Sequence, residues 1–98
     1  MINLGNNDFN SEISNGMVLV DFYADWCGPC KMMHTVLKDL DNDIKIVVVD
    51  IDKREDLANK YNIMSIPTLM FFKDGNLIKK NIGFTPKNII EEWINYEK

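Results

Sequence analysis

Residues 21–33 read DFYADWCGPCKMM and hold both cysteines of the 98-residue chain, three positions apart. Just before them, Met17 to Tyr23 (MVLVDFY) is an apolar, β-branched run broken only by Asp21. That is the pattern of a strand covered on both faces, and so central in its sheet. Just after them, Cys30, Met33, Val36, Leu37 and Leu40 recur at helical spacing and predict one apolar stripe. A second buried-strand run, Ile44 to Ile51 (IKIVVVDI), follows. Strand, helix and strand within roughly 35 residues make a βαβ unit, whose two strands run parallel through a right-handed crossover.

The rest of the chain extends that unit. Ile2 to Leu4 reads as a first strand, and Phe9 and Ile13 anchor a short helix after it. Leu57 and Tyr61, four apart, mark a mostly polar helix. PTLMFF and NLIKKNI flank KDGN, where Asp74 and Gly75 predict a tight antiparallel hairpin. Thr85 and Pro86 supply an expected N-cap and first-turn proline for a last helix facing inward with Ile89, Ile90, Trp93 and Ile94. The order βαβα then ββα predicts an α/β fold of three layers, α/β/α, around a central mixed sheet of about five strands with four helices. One domain over residues 1–98 is expected at this length.

Hydrophobic residues make up 46% of the chain and charged residues 27%, which excludes a disordered protein. The net charge of −4 comes from 15 acidic and 11 basic side chains spread along the sequence. No basic block tracks a phosphate backbone, so nucleic acid is not an expected partner. The first residues carry no signal-peptide pattern and no run is long enough to span a bilayer, so a cytoplasmic protein with no membrane partner is expected. In a reducing cytosol a lone cysteine pair is rarely a staple. Closing a four-residue loop would contribute only about 1.9 kcal/mol, against about 3 for a 15-residue loop.

The pair makes better sense as chemistry. Cys27 falls where strand passes into helix, near unpaired N–H groups and the positive end of the helix dipole, which favour a thiolate and mark it as the nucleophile. Pro29 is tolerated in the first turn, and Gly28 leaves the backbone open to close approach. Cys30 belongs to the inward stripe and is expected to be more buried and less ionised. A three-residue helical spacing brings the two within easy reach of a disulfide. Cys27 can then attack a disulfide in another protein, and Cys30 can resolve the mixed disulfide and release the reduced partner. The competing reading is half of a zinc site that uses His34, which lies one turn beyond Cys30. Zinc wants four ligands and there is no second cysteine pair. His34 is therefore expected to be a plain surface or boundary side chain.

Asp21 lies inside an apolar run, where burial raises a carboxyl's pKa. A buried acid a few residues before a dithiol can accept and return the resolving thiol's proton. Asp50 and Asp52 are read as solvated strand ends or N-caps, and Asp25 as loop. Pro67 stands at a strand start, which tolerates a residue without an N–H.

With VDFYADWCGPCK, VVVDID, YNIMSIPTLMFFKDG and IGF in that order, nearly the whole chain resembles the thioredoxin family. The resemblance implies that family's fold, with the site at the N-terminus of the second helix. It implies Cys27 as attacking thiol, Cys30 as resolving thiol and Asp21 as buried acid. It also implies a cis Ile66–Pro67 bond beside the cysteines. Trp26, Gly28, Pro29, Ile66, Pro67 and Gly83 would then form an apolar surface that receives a client's extended segment.

The expected function is a general protein-disulfide reductase, a monomer with no bound cofactor. It would act on disulfide-containing client proteins and be recharged by a thioredoxin reductase with electrons drawn indirectly from NADPH. Gly28–Pro29 between the cysteines favours a reductase, since oxidising members usually carry a histidine there. A redox-independent docking module is the alternative, and loss of both thiols without loss of partner binding would support it. Some positions depart from the family pattern. Val48 stands where a lysine is common near the buried acid, so Asp21 is expected to lack a cationic neighbour and to titrate higher. Thr35 replaces a helix proline, so less kink is expected, and Tyr23 replaces a frequent tryptophan.

Overall fold

A computed structural model describes residues 1–98. Its elements run β1 (Ile2–Asn3), α1 (Phe9–Ile13), β2 (Met17–Tyr23), α2 (Gly28–Leu40), β3 (Lys45–Asp50), α3 (Glu55–Lys60), β4 (Thr68–Lys73), β5 (Asn76–Ile82) and α4 (Lys87–Glu97). The five strands form one sheet in the order β1-β3-β2-β4-β5. β2 is central, as its apolar run around Asp21 requires: it pairs parallel with β3 and antiparallel with β4.

Alternation along the strands divides the interior into two layers. Val18, Val20 and Phe22 of β2, with Val47, Val49, Met70 and Phe72, face α1 and α3 through Phe9, Ile13 and Leu57. Leu19, with Ile46, Val48, Leu69 and Phe71, faces α2 and α4 through Met33, Leu37, Leu40, Ile90 and Ile94. Asp21 has the parity of Leu19 and so lies beneath α2.

The β4–β5 connection is the hairpin that Asp74 and Gly75 predict. Both residues take positive φ (49° and 85°), the condition a type I′ turn sets. The Asp74 carboxylate accepts the Gly16 N–H at 2.8 Å, and the Asp74 N–H donates to the Gly16 carbonyl at 2.9 Å, so the turn is tied to the loop before β2.

Two local expectations are corrected. The cap position of α4 is held by Pro86, with no side-chain cap. Thr85 lies just outside the helix, fully buried: its hydroxyl accepts from Asn81 Nδ2 at 2.7 Å, and its N–H points at Met33 Sδ at 3.4 Å. Thr85 joins β5 and α2 instead of capping α4. Likewise α3 begins at Glu55 behind Arg54, so neither Asp50 nor Asp52 caps it.

Candidate active site

Helix α2 begins immediately after Cys27, whose backbone is still extended (φ −91°, ψ 109°). Cys27 is thus the N-cap, and its sulfur does what a serine or aspartate oxygen does there: it accepts the Cys30 N–H, at 3.2 Å. Pro29 sits in the first turn, where no helical acceptor awaits its missing N–H. Cys27 and Cys30 are joined as a disulfide with their Cα atoms 5.3 Å apart. The Cys27 sulfur thus lies at a helix N-terminus with an N–H directed at it, an arrangement that favours a thiolate over a thiol. Both cysteines are buried among Ala24, Tyr23, Ile51 and Ile66, Cys30 the more deeply.

Ile66 completes one wall: its carbonyl oxygen lies 3.8 Å from the Cys27 sulfur. The Ile66–Pro67 bond is cis, as expected. The Gly83 N–H donates to the Pro67 carbonyl at 2.7 Å. Gly83 has φ +93°, a conformation that other residues rarely hold. The loops carrying residues 66–67 and 83 are therefore bonded together beside α2. Gly28 and Pro29 are exposed on its first turn, and a side chain at Gly28 would meet no neighbour.

Trp26 is 71% exposed yet fixed in place: its Nε1–H donates to Asp52 Oδ2 at 2.9 Å. Asp52 is itself positioned by its N–H, which donates to Asp50 Oδ1 at 2.9 Å. The reading of Asp50 as a solvated end is corrected accordingly, since Asp50 is buried and shapes the turn. Asp52 is exposed, as read, and in addition orients the indole. Only tertiary contact brings residue 52 to residue 26, so no local signal marked this role.

Asp21 is fully enclosed. In register, Val48 stands opposite it on β3 and Leu69 on β4, so both strand neighbours are apolar. Burial pushes its carboxyl above the ordinary carboxylate range, and His34 pulls it partly back. His34 Nε2 lies 2.8 Å from Asp21 Oδ2. The contact has ion-pair distance without hydrogen-bond alignment, and no other group bonds either Asp21 oxygen.

This corrects two expectations. Asp21 does have an ionisable partner able to carry positive charge, and His34 is not a plain boundary residue. A signal was available in that His34 follows the inward Cys30 by one turn and so lies on the flank of the same helix face. No group of three or more His, Cys, Asp or Glu side chains is arranged to hold a metal ion; the histidine of the zinc reading faces Asp21. The Tyr23 ring meets His34 edge-on at 4.8 Å. Burial raises the Tyr23 hydroxyl's pKa, helped by Asp50, Asp25 and Asp21.

The family model described as Thioredoxin matches residues 1–96. A thioredoxin of Bacillus subtilis (strain 168) is 47% identical over 91 residues, which span 89% of this chain and 88% of that protein. One from Staphylococcus epidermidis is 45% identical over 96 residues, 94% of this chain and 92% of that protein. Among solved structures, a mutant thioredoxin from Halobacterium salinarum NRC-1 superposes with a TM-score of 0.89 at 30% identity, covering 97% of this chain and 88% of the other.

Proposed function

Because the chain belongs to the thioredoxin family of protein-disulfide oxidoreductases, we propose that Cys27 is its attacking thiol, Cys30 its resolving thiol and Asp21 the acid/base that serves Cys30. The observation that carries the reading is the Cys27 sulfur as N-cap of α2, accepting the Cys30 N–H. The Cys27 thiolate attacks one sulfur of a client disulfide, and the other client sulfur leaves with the bonding pair and takes a proton. Cys30, losing its proton to Asp21, then attacks the Cys27 sulfur and expels the second client thiolate. Cys27 and Cys30 together give up two electrons, and the client disulfide accepts two.

Trp26, Gly28, Pro29, Ile66, Pro67 and Gly83 form the surface on which the client segment lies. The exposed indole and the small residues of the first turn support this reading, since they let a backbone come close to the cysteines. Residues 1–98 act as one domain. Electrons reach the disulfide from a thioredoxin reductase that draws on NADPH, and the reducing setting this requires is the cytoplasm. No helix is long and apolar enough to cross a membrane.

Cys30→Ser tests the assignment. Incubated with a disulfide-bonded protein, it should accumulate a mixed disulfide through Cys27, seen as an adduct by mass spectrometry, with turnover at background. An adduct formed equally by Cys27→Ser would overturn the order of the two thiols. Equilibration with a glutathione redox buffer, followed by Trp26 fluorescence, should give a potential more reducing than the glutathione pool.

A further inference from the structure

Asp21 is sealed, and a sealed carboxyl cannot by itself trade protons with water. On its own face of the sheet it is flanked by Val48 and Leu69, and that face is covered by α2 and α4 through Met33, Leu37 and Ile90. One ionisable side chain reaches it. His34 Nε2 lies 2.8 Å from Oδ2, and the His34 side chain is 26% exposed, so the ring spans from the carboxylate to solvent. Other groups are arranged around the pair. β2 contributes Tyr23 on the imidazole, with Asp50 at the end of β3 and Asp25 in the following loop acting on that phenol. β4 and α4 present apolar residues to this layer. Lys31 and Lys38, three before and four after His34, are exposed along α2.

We propose that His34 is a positioning residue for the resolving step: it supplies the charge partner of Asp21 from helix α2. The proposal rests on the reading of Asp21 as proton acceptor for Cys30. Cys30 and His34 are one helical turn apart, on the side of α2 that meets the sheet. During resolution the Cys30 thiol proton passes to the Asp21 carboxylate. The Cys30 sulfur forms the new bond to Cys27, the mixed disulfide breaks, and the client sulfur leaves with the pair and is protonated by water. Asp21 now holds that proton in a site closed to water. When the protein is recharged, Asp21 gives the same proton back to the Cys30 thiolate. The His34 imidazole 2.8 Å away, when it carries a proton, keeps Asp21 ionised at a lower pH than its burial alone would allow.

The test is the rate of mixed-disulfide resolution as a function of pH, measured by stopped flow with a disulfide-bonded protein and accompanied by an NMR titration of the Asp21 carboxyl. His34→Ala should move the midpoint of the rate profile, and the Asp21 titration with it, to higher pH by about one unit or more, so that resolution below the midpoint slows about tenfold. Val48 stands opposite Asp21 on the neighbouring strand, so Val48→Lys added to His34→Ala offers a cation from another direction and should bring the Asp21 titration back. If that double variant does not fold, His34→Lys offers the cation from α2 and should do the same. An Asp21 titration and rate profile unmoved by His34→Ala would overturn the proposal, as would a shift that neither cation reverses. Asp21→Asn separates the two levels. If it leaves the resolution rate and profile unchanged, the acid/base reading of Asp21 itself fails. If it alters them while His34→Ala does not, only the role of His34 fails.

Discussion

The carboxylate of Asp21 is wholly closed to solvent, while His34, its only ionic contact, stands 2.8 Å away and partly in water. The pair is therefore asymmetric, with desolvation falling mainly on the acid. Since Asp21 titrates above its unfolded value of 3.8 in the folded protein, the native state holds a proton there that the unfolded chain has already released. Stability from this group therefore falls as pH rises from about 3.8 through the folded titration, and stays low above it.

Asp21→Asn removes the buried charge and keeps the shape. It should be more stable than the parent at pH 8 by roughly 1 to 3 kcal/mol, with the gain shrinking as pH falls and nearly gone at pH values below the unfolded carboxyl's range. Urea unfolding at a series of pH values measures it. A difference that is constant with pH would mean that the carboxylate's charge is not what costs stability.

Client docking and thiol chemistry should separate kinetically. Trp26→Ala and Ile66→Ala remove apolar surface beside the Cys27 sulfur without touching either thiol. Each should raise KM for a disulfide-bonded protein several-fold and leave the reduction of a small dialkyl disulfide within about twofold, the signature of lost binding contacts. Equal losses on both substrates would place these residues in the chemistry instead.

Gly83→Ala is a backbone test. A methyl group at this position meets no atom within 4 Å, so any loss comes from holding a side-chain-bearing residue at φ +93°. A cost of about 1 to 2 kcal/mol is expected in denaturant unfolding. Client affinity should fall as well if the Gly83–Pro67 hydrogen bond is displaced. A neutral substitution would show that the loop adapts freely.

The interior stripe of α2 should carry its stability. Leu37 is completely buried between α2 and the sheet, and Met32, on the same helix, is 62% exposed. Leu37→Ala should cost about 2 to 5 kcal/mol through lost transfer energy and a residual cavity. Met32→Ala should stay within about 0.5 kcal/mol. Comparable losses at both sites would contradict the rotation of α2 described above.

What the sequence by itself determined is what is written in short-range pattern. The β-branched, apolar runs of β2 and β3 marked strands covered on both faces. The spacing of Cys30, Met33, Leu37 and Leu40 set the inward side of α2. Asp74 and Gly75 named their turn, and the cysteines named their chemistry. Each of these depends on neighbours within a turn or a strand. The tertiary structure decided the rest. It determined that Thr85 fastens β5 to α2 while Pro86 takes the cap, that Asp52 holds the Trp26 indole, and that a histidine on α2 lies against an aspartate on β2. Those pairings follow from how a helix rotates and seats on a sheet. That is settled by packing the whole core at once, and no local period records which polar side chain will end up against a buried charge.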